Sequence, residues 1–274
     1  MNAGYAVLLG IIQGLTEFLP VSSSAHLVIA QSFFPEFYQP GILFDIVLHA
    51  GTLLAVIFFL KNDILSLLKA LFPESWYGVP PAARRSGLSA GRKTIRNLVI
   101  ATLVTGVIGV FFKSEVEKLF ASPAVAAFML VITGCLLFLA GRITKNDREE
   151  KDLNITDSIA IGIAQGLAVM PGISRSGATI AFGIFRGLKT ETAARFSFLI
   201  SIPAVMGAAI LEARHISLLS LMDLEAYAAG FAAAAITGFL SLKLLFLLIK
   251  KFNIAVFAYY CWVVGFSVLI WTAS

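Results

Sequence analysis

The sequence predicts an all-α polytopic membrane protein, with six transmembrane helices and two re-entrant helical hairpins arranged as an inverted-topology repeat. Three observations lead there. Hydrophobic residues make up 58% of the 274 residues and charged ones only 14%, with a mean hydropathy of +0.89; a soluble domain carries roughly a quarter charged residues. Lysine and arginine gather in alternate connections, as membrane orientation requires. A short polar motif also occurs twice, each time inside apolar sequence. The net charge of +5 and pI near 9.3 follow from the basic loops, so nucleic acid is excluded as a partner. No basic n-region precedes the first apolar stretch, so no signal peptide is expected.

The elements follow in order. Residues 1–40 hold two apolar pieces, about 3–19 and 24–34, each too short for an ordinary crossing and parted by Pro20 and three serines. Spans follow at 42–60, 95–112 and 122–140. Residues 156–187 repeat the broken pattern, with pieces at 157–170 and 178–187 around Pro171. Three more spans lie at 194–211, 224–248 and 255–272. Segment 61–96 contains seven Lys or Arg, 141–155 four, 186–195 three and 249–254 two; 113–121 has two, 211–223 one and 1–41 none. The basic side is cytoplasmic by the positive-inside rule. Residues 1–40 then begin and end outside, and 156–187 begin and end inside, so both are re-entrant. The repeats are about 1–140 and 156–274, both termini lie outside, and the broken segments mark a site near the midplane.

Smaller features fit this frame. Segment 61–96, with Pro73, Gly78, Pro80, Pro81 and Gly87, reads as a cytoplasmic loop carrying a short interfacial helix. Trp76, Tyr77, Tyr259, Tyr260 and Trp262 suit the interfacial aromatic belt. The Ala/Gly run from Ala226 to Gly238 permits close helix contact. Cys135 and Cys261 read as small packing residues. Lys243 snorkels to the surface, and Glu212, Asp223 and Glu225 are solvated in an outer loop.

The chemistry is concentrated in the repeated motif. Its first copy is Gln13-Gly14-Leu15, then Glu17, Pro20, Ser22, Ser23, Ser24 and His26. The second is Gln165-Gly166-Leu167, then Pro171, Ser174, Arg175, Ser176 and Thr179. A shift of 152 residues superposes Gln13 on Gln165, Gly14 on Gly166, Ser22 on Ser174 and Ser24 on Ser176. Polar groups inside a membrane are costly and so are functional hypotheses. Each proline ends a half-helix and a serine caps the next one. Two such helix starts present partial positive charge and N–H donors to an anion. Arg175 at a tip binds phosphate oxygens, or else pairs with Glu17 to fix the fold. Gln13 and Glu17 share a helical face; Glu17 holds a cation, acts as a base or is a structural carboxylate. His26 shares a face with Ser23, and a hydroxyl beside an imidazole makes a nucleophile pair; the alternative is a structural hydrogen bond. Asp45 and His49 repeat the i, i+4 pattern, read as structural support with a cation role behind it.

The motifs Gln13-Gly-Leu-Thr-Glu17-Phe-Leu-Pro-Val-Ser-Ser23-Ser-Ala-His26 and Pro171-Gly-Ile-Ser174-Arg175-Ser176-Gly-Ala-Thr179 resemble those of the undecaprenyl-diphosphate phosphatases of the bacitracin-resistance type. Phe44-Asp45, His49-Ala-Gly51 and Phe196–Leu199 with Pro203 and Gly207 are similar too. The resemblance implies a phosphatase of the bacterial inner membrane, multi-pass, with its site opening to the periplasmic face. It would convert undecaprenyl diphosphate to the monophosphate, recycling the cell-wall lipid carrier, with a divalent cation, Mg or Ca. Carried over residue by residue, it makes Glu17, Ser23, His26 and Arg175 catalytic; Ser23 or His26 is the nucleophile, or one of them activates a water, and Ser23 with His26 as its base is preferred. Ser22, Ser24, Ser174, Ser176 and Thr179 would bind the substrate phosphates, and Glu17 and Gln13 would hold the metal. Many members carry Glu where Gln13 stands, which weakens a two-carboxylate cation site. Polyprenyl diphosphate and membrane lipids are the expected partners, and a homodimer is left open. The other reading is a polyprenyl-phosphate flippase or transporter, since inverted repeats with broken helices are the usual transporter architecture.

Overall fold

The computed structural model of the chain describes residues 3–32, 42–72, 81–119, 122–212 and 224–273. Pro73, Trp76, Tyr77, Gly78, Pro80 and Asp223 lie outside these residues. Among the described residues there are eleven α-helices, and the only β-type pairing is an isolated bridge between Arg148 and Leu188.

Both broken segments form as their prolines and serines direct. Helix α1 (Ala3–Phe18) stops before Pro20, and α2 (Ser23–Ser32) starts where the Ser22 hydroxyl accepts from the Ala25 N–H at 3.3 Å. Later in the chain α7 (Ile155–Leu167) stops before Pro171, and α8 (Arg175–Phe185) starts where the Ser174 hydroxyl accepts from the Gly177 N–H at 3.0 Å. These caps satisfy N–H groups that lipid cannot.

The first long element departs from the sequence reading. The expected span 42–60 is α3 (Ile42–Phe59), which turns by 75° into α4 (Lys61–Leu71). The turn contains no proline or glycine. Backbone bonds run through it, from Leu60 N to the Val56 carbonyl and from Ile64 N to the Leu60 carbonyl, each 2.9 Å. What changes is the pattern: α3 is apolar from Leu53 to Phe59, whereas α4 carries Lys61, Asp63 and Lys69 and leaves Leu65, Leu68 and Leu71 exposed. Such a pattern is the amphipathic type that suits an interface. The expected span 95–112 is the apolar part, Ala90–Phe112, of the longer α5 (Pro81–Leu119). The remaining spans are α6 (Pro123–Gly141), α9 (Thr190–Glu212), α10 (Leu224–Lys251) and α11 (Val256–Ala273). Among the described residues five helices are long and apolar enough to cross a membrane unaided, and up to six if the bent α3–α4 pair is one span.

The two short helices pack through glycine. Gly10 and Gly14 of α1 lie against Gly230, Ala234 and Gly238 of α10; a Cβ on Gly14 would sit 2.0 Å from Thr237 Oγ1 and 2.6 Å from Gly238 N. Gly162 and Gly166 of α7 lie in the same way against Ala101 and Ile108 of α5. Small residues at such contacts let backbones approach where lipid provides no hydrophobic drive. The Ala/Gly run of α10 is therefore the seat of α1, and α3 joins it through Gly51 beside Phe231. Each short helix thus rests on a long helix from the other half of the chain.

Charged residues at the basic end lock the second broken segment. The buried Asp157 carboxylate, in the first turn of α7, accepts from Arg148 at 2.6 Å and from Arg186 Nε at 2.8 Å. Arg148 also donates to the carbonyls of Asp152 and Arg186. The start of α7 and the end of α8 are consequently held side by side.

Candidate active site

The breaks of the two short-helix pairs meet. Glu17, in the last turn of α1 and only 8% exposed, accepts at Oε1 from Arg175 Nη2 at 2.5 Å. Its other oxygen accepts from Gln13 Nε2 at 2.9 Å and from the Ser23 hydroxyl at 2.6 Å. Two further bonds join the tips: Gly172 N donates to Ser24 Oγ at 3.2 Å, and Ser176 Oγ donates to the Leu19 carbonyl at 3.2 Å. Gly172 has a φ of +97° and a Cβ there would lie 2.2 Å from the Ala126 carbonyl, so this turn admits only glycine.

Outer helices fix both tips. Thr133 of α6 accepts from Ser174 N at 3.0 Å and donates to the Gly172 carbonyl at 3.0 Å. Cys261 of α11 points its thiol at the Pro20 carbonyl at 3.6 Å, a more specific position than the packing role expected of it.

The remaining motif hydroxyls have partners within the protein. Ser22 and Ser24 are 3.1 Å apart, Ser174 and Ser176 3.2 Å apart, and Thr179 sits 2.5 Å from the buried Ser197 and donates to the Arg175 carbonyl. Ser22, Ser174, Ser176 and Thr179 are buried.

His26 and Ser23 are engaged separately. The Ser23 hydroxyl is on Glu17. The His26 ring has Nδ1 2.7 Å from the Ser22 carbonyl and Nε2 2.8 Å from Tyr260 Oη. The group that accepts from the Ser23 hydroxyl in this arrangement is the Glu17 carboxylate, and the His26 ring bonds elsewhere.

His49, from α3, belongs to the same cluster. Its Nδ1 accepts from Gln13 Nε2 at 3.0 Å and lies 3.7 Å from Glu17 Oε2. With both amide hydrogens of Gln13 taken, its Oε1 is buried without a hydrogen-bond partner, and so is Arg175 Nη1. An acceptor and a cationic donor thus stand unpaired beside one carboxylate, and buried groups of this kind are normally satisfied. Arg175 and Glu17 line a crevice of about 10 Å³ together with Thr52, Val56, Ser201 and Val205. That space holds one water at most.

A resident metal would need more ligands. Among the described residues no three His, Cys, Asp or Glu side chains cluster around a possible ion. Glu17 and the unpaired Gln13 oxygen are nevertheless hard donors, and a magnesium-type ion completes such a partial set with substrate phosphates and water. The residues fit an ion shared with a phosphorylated substrate.

Sequence reading did not assign Tyr260 or Thr133 to this site. Thr133 carried a weak signal, as a hydroxyl inside an apolar span; Tyr260, expected in the interfacial belt, carried none.

A protein-family model described as Bacitracin resistance protein BacA matches residues 6–267. A protein of Syntrophotalea carbinolica named undecaprenyl-diphosphatase is 43% identical, covering 97% of both chains. One of the same name from Methanobrevibacter smithii is 40% identical over 98% of this chain and 97% of its own. A third, from Carboxydothermus hydrogenoformans, is 37% identical over 100% and 99%.

Proposed function

The chain belongs to the bacitracin resistance protein BacA family, and from that membership we propose that it hydrolyses undecaprenyl diphosphate to undecaprenyl phosphate and inorganic phosphate where Glu17 meets Arg175. The observation that carries the assignment to this junction is the Arg175 guanidinium, with one nitrogen on Glu17 and the other buried without a partner. A guanidinium with a free donor in a low-dielectric site is suited to a phosphate oxygen.

The fold reading that accompanies it is two re-entrant hairpins, α1–α2 and α7–α8, in an inverted repeat whose basic end is cytoplasmic. The clasp of Asp157 with Arg148 and Arg186 supports it for the second hairpin, because that segment starts and ends at one place. The reciprocal seating of α1 on α10 and α7 on α5 supports the repeat. The site would open toward the outer face. An apolar groove of about 370 Å³ between α3 and α10, lined by Leu54, Phe58, Ile236 and Leu240, would take the prenyl chain, and α3 connects it to the site. The crevice beside Glu17 is too small for a diphosphate, so substrate binding requires α3 or α9 to move away from the tips.

Arg175 Nη1 and the N-terminal amides of α2 and α8 gather the charge of the terminal phosphoryl group, the dominant requirement of phosphoryl transfer. The Ser23 oxygen forms a bond to the terminal phosphorus as its proton passes to Glu17, and the bridging P–O bond breaks to release undecaprenyl phosphate. Water then attacks the seryl phosphate and gives its proton to His26 Nε2; Ser23 recovers its own from Glu17, and His26 passes its proton to solvent. A divalent cation held by Glu17 and Gln13 Oε1 would supply further neutralisation of phosphate charge.

The test is phosphate release from undecaprenyl diphosphate by purified protein in detergent, where no transmembrane gradient exists and transport cannot register. Wild type should turn over and Glu17→Ala should not, and rapid quenching should trap phosphate on Ser23. Phosphate trapped on His26 would reject the assigned nucleophile, and a fully active Glu17→Ala would reject the site.

A further inference from the structure

His26 is held by three features: the backbone of Ser22, the Ser22 carbonyl and Tyr260. Ser22 has a φ of +66°, the one described non-glycine residue with positive φ. Such a backbone is strained by roughly 1–2 kcal/mol, and strain of this kind concentrates at functional sites. The Ser22 carbonyl faces His26, which approaches it with its backbone N–H at 3.3 Å and its ring Nδ1 at 2.7 Å. A carbonyl only accepts, so Nδ1 carries the proton. In the neutral ring Nε2 is then the bare nitrogen, and the Tyr260 hydroxyl, 2.8 Å away, donates to it. The two rings are also stacked, with centroids 5.7 Å apart and planes 11° from parallel.

Resting on the phosphatase reading, we propose that Tyr260 is a positioning residue for His26: it keeps the Nε2 lone pair aimed outward and covered until a water replaces the phenol. Rotation about the ring's last torsion is soft. A half-turn would break the Ser22 and Tyr260 bonds together, so the tyrosine and the strained carbonyl lock one tautomer in one orientation. Tyr260 is 46% exposed, which gives its hydroxyl room to yield while the ring stays stacked.

Tyr260→Phe keeps the stacking and removes the bond. The direct readout is acylation of His26 by diethyl pyrocarbonate, which attacks the unprotonated ring nitrogen, followed site by site among His26, His49 and His215 by peptide mass spectrometry. Uncovering Nε2 should speed modification of His26 about fivefold, the effect of losing one ordinary hydrogen bond. The kcat for phosphate release should fall about fivefold or more with KM unchanged, the signature of an interaction outside substrate binding. Tyr259→Phe, whose ring is exposed and packs on Trp262, is the folding control and should change neither. An unchanged modification rate, or an unchanged kcat, in Tyr260→Phe overturns the proposal. Wild-type protein that releases no phosphate, while His26 modification still quickens in Tyr260→Phe, would reject the phosphatase reading and leave the His26–Tyr260 bond confirmed.

Discussion

Replacing Arg175 by lysine separates the two tasks of one side chain. In the structure Nη2 holds Glu17 at 2.5 Å and Nη1 is buried with no partner. Lysine keeps the charge and has a single nitrogen, which the buried carboxylate will claim. The fold should therefore survive while the phosphate contact is lost. Removing one preorganised donor from a phosphoryl or oxyanion site costs about 2.7–4 kcal/mol, or about 10²–10³ in kcat. Arg175→Ala should lose that much activity and also strip Glu17 of its counter-charge. Breaking a buried pair costs about 3–5 kcal/mol, and because Gln13 and Ser23 still donate to Glu17 the value belongs at the low end, about 3 kcal/mol. The assay is phosphate release beside thermal unfolding in the same detergent. Lysine should show a wild-type midpoint with about 1% of the turnover or less, and alanine both defects. An Arg175→Lys protein with more than about a tenth of wild-type turnover would show that the second nitrogen does not serve the reaction.

Two further outcomes test the framework. Gly14→Ala places a methyl against the α10 backbone and should destabilise by about 1–3 kcal/mol, whereas Gly106→Ala meets nothing within 4 Å and should stabilise by up to about 1 kcal/mol through helix propensity; equal thermal midpoints for the two would contradict the α1–α10 seat. Burial alone would raise the Asp157 carboxyl, but hydrogen bonds from Arg148 and Arg186 bring it below the ordinary aspartate range. Its charged form is thus favoured by folding, so its contribution is complete above that range and disappears as the pH falls through the lowered value. Asp157→Asn should lower the neutral-pH midpoint by the equivalent of about 1–3 kcal/mol, reduced by the partial exposure of both arginines, and should flatten the acid-side decline; an unaltered pH profile would refute the clasp.

Much of the helical framework was legible because its signals are local. Pro20 and Pro171 stop helices, Ser22 and Ser174 cap the next ones, and the Ala/Gly run from Ala226 to Gly238 marks a face that can be approached closely. The meeting of Glu17 with Arg175 was legible as one of two alternatives, and the structure places one nitrogen of Arg175 on Glu17 and leaves the other without a partner. Other features depend on neighbours far away in sequence. The 75° turn at Leu60 follows from a change of amphipathic pattern with no breaker residue. The partner of Ser23 could not be read from spacing, since a residue three places on in the same helix and one six places back across a proline turn compete for one hydroxyl. His49 reaches the site through Gln13, and Tyr260 reaches His26 from 234 residues away.

The glycine seats bear on how the chain is assembled as it is made. The receiving surface for α7 is α5, already synthesised when α7 appears, whereas the one for α1 is α10, which begins only at Leu224. A nascent chain that has not reached that point can dock its later broken segment but has no berth for its first. The N-terminal glutamate must wait for most of the polypeptide before it is enclosed.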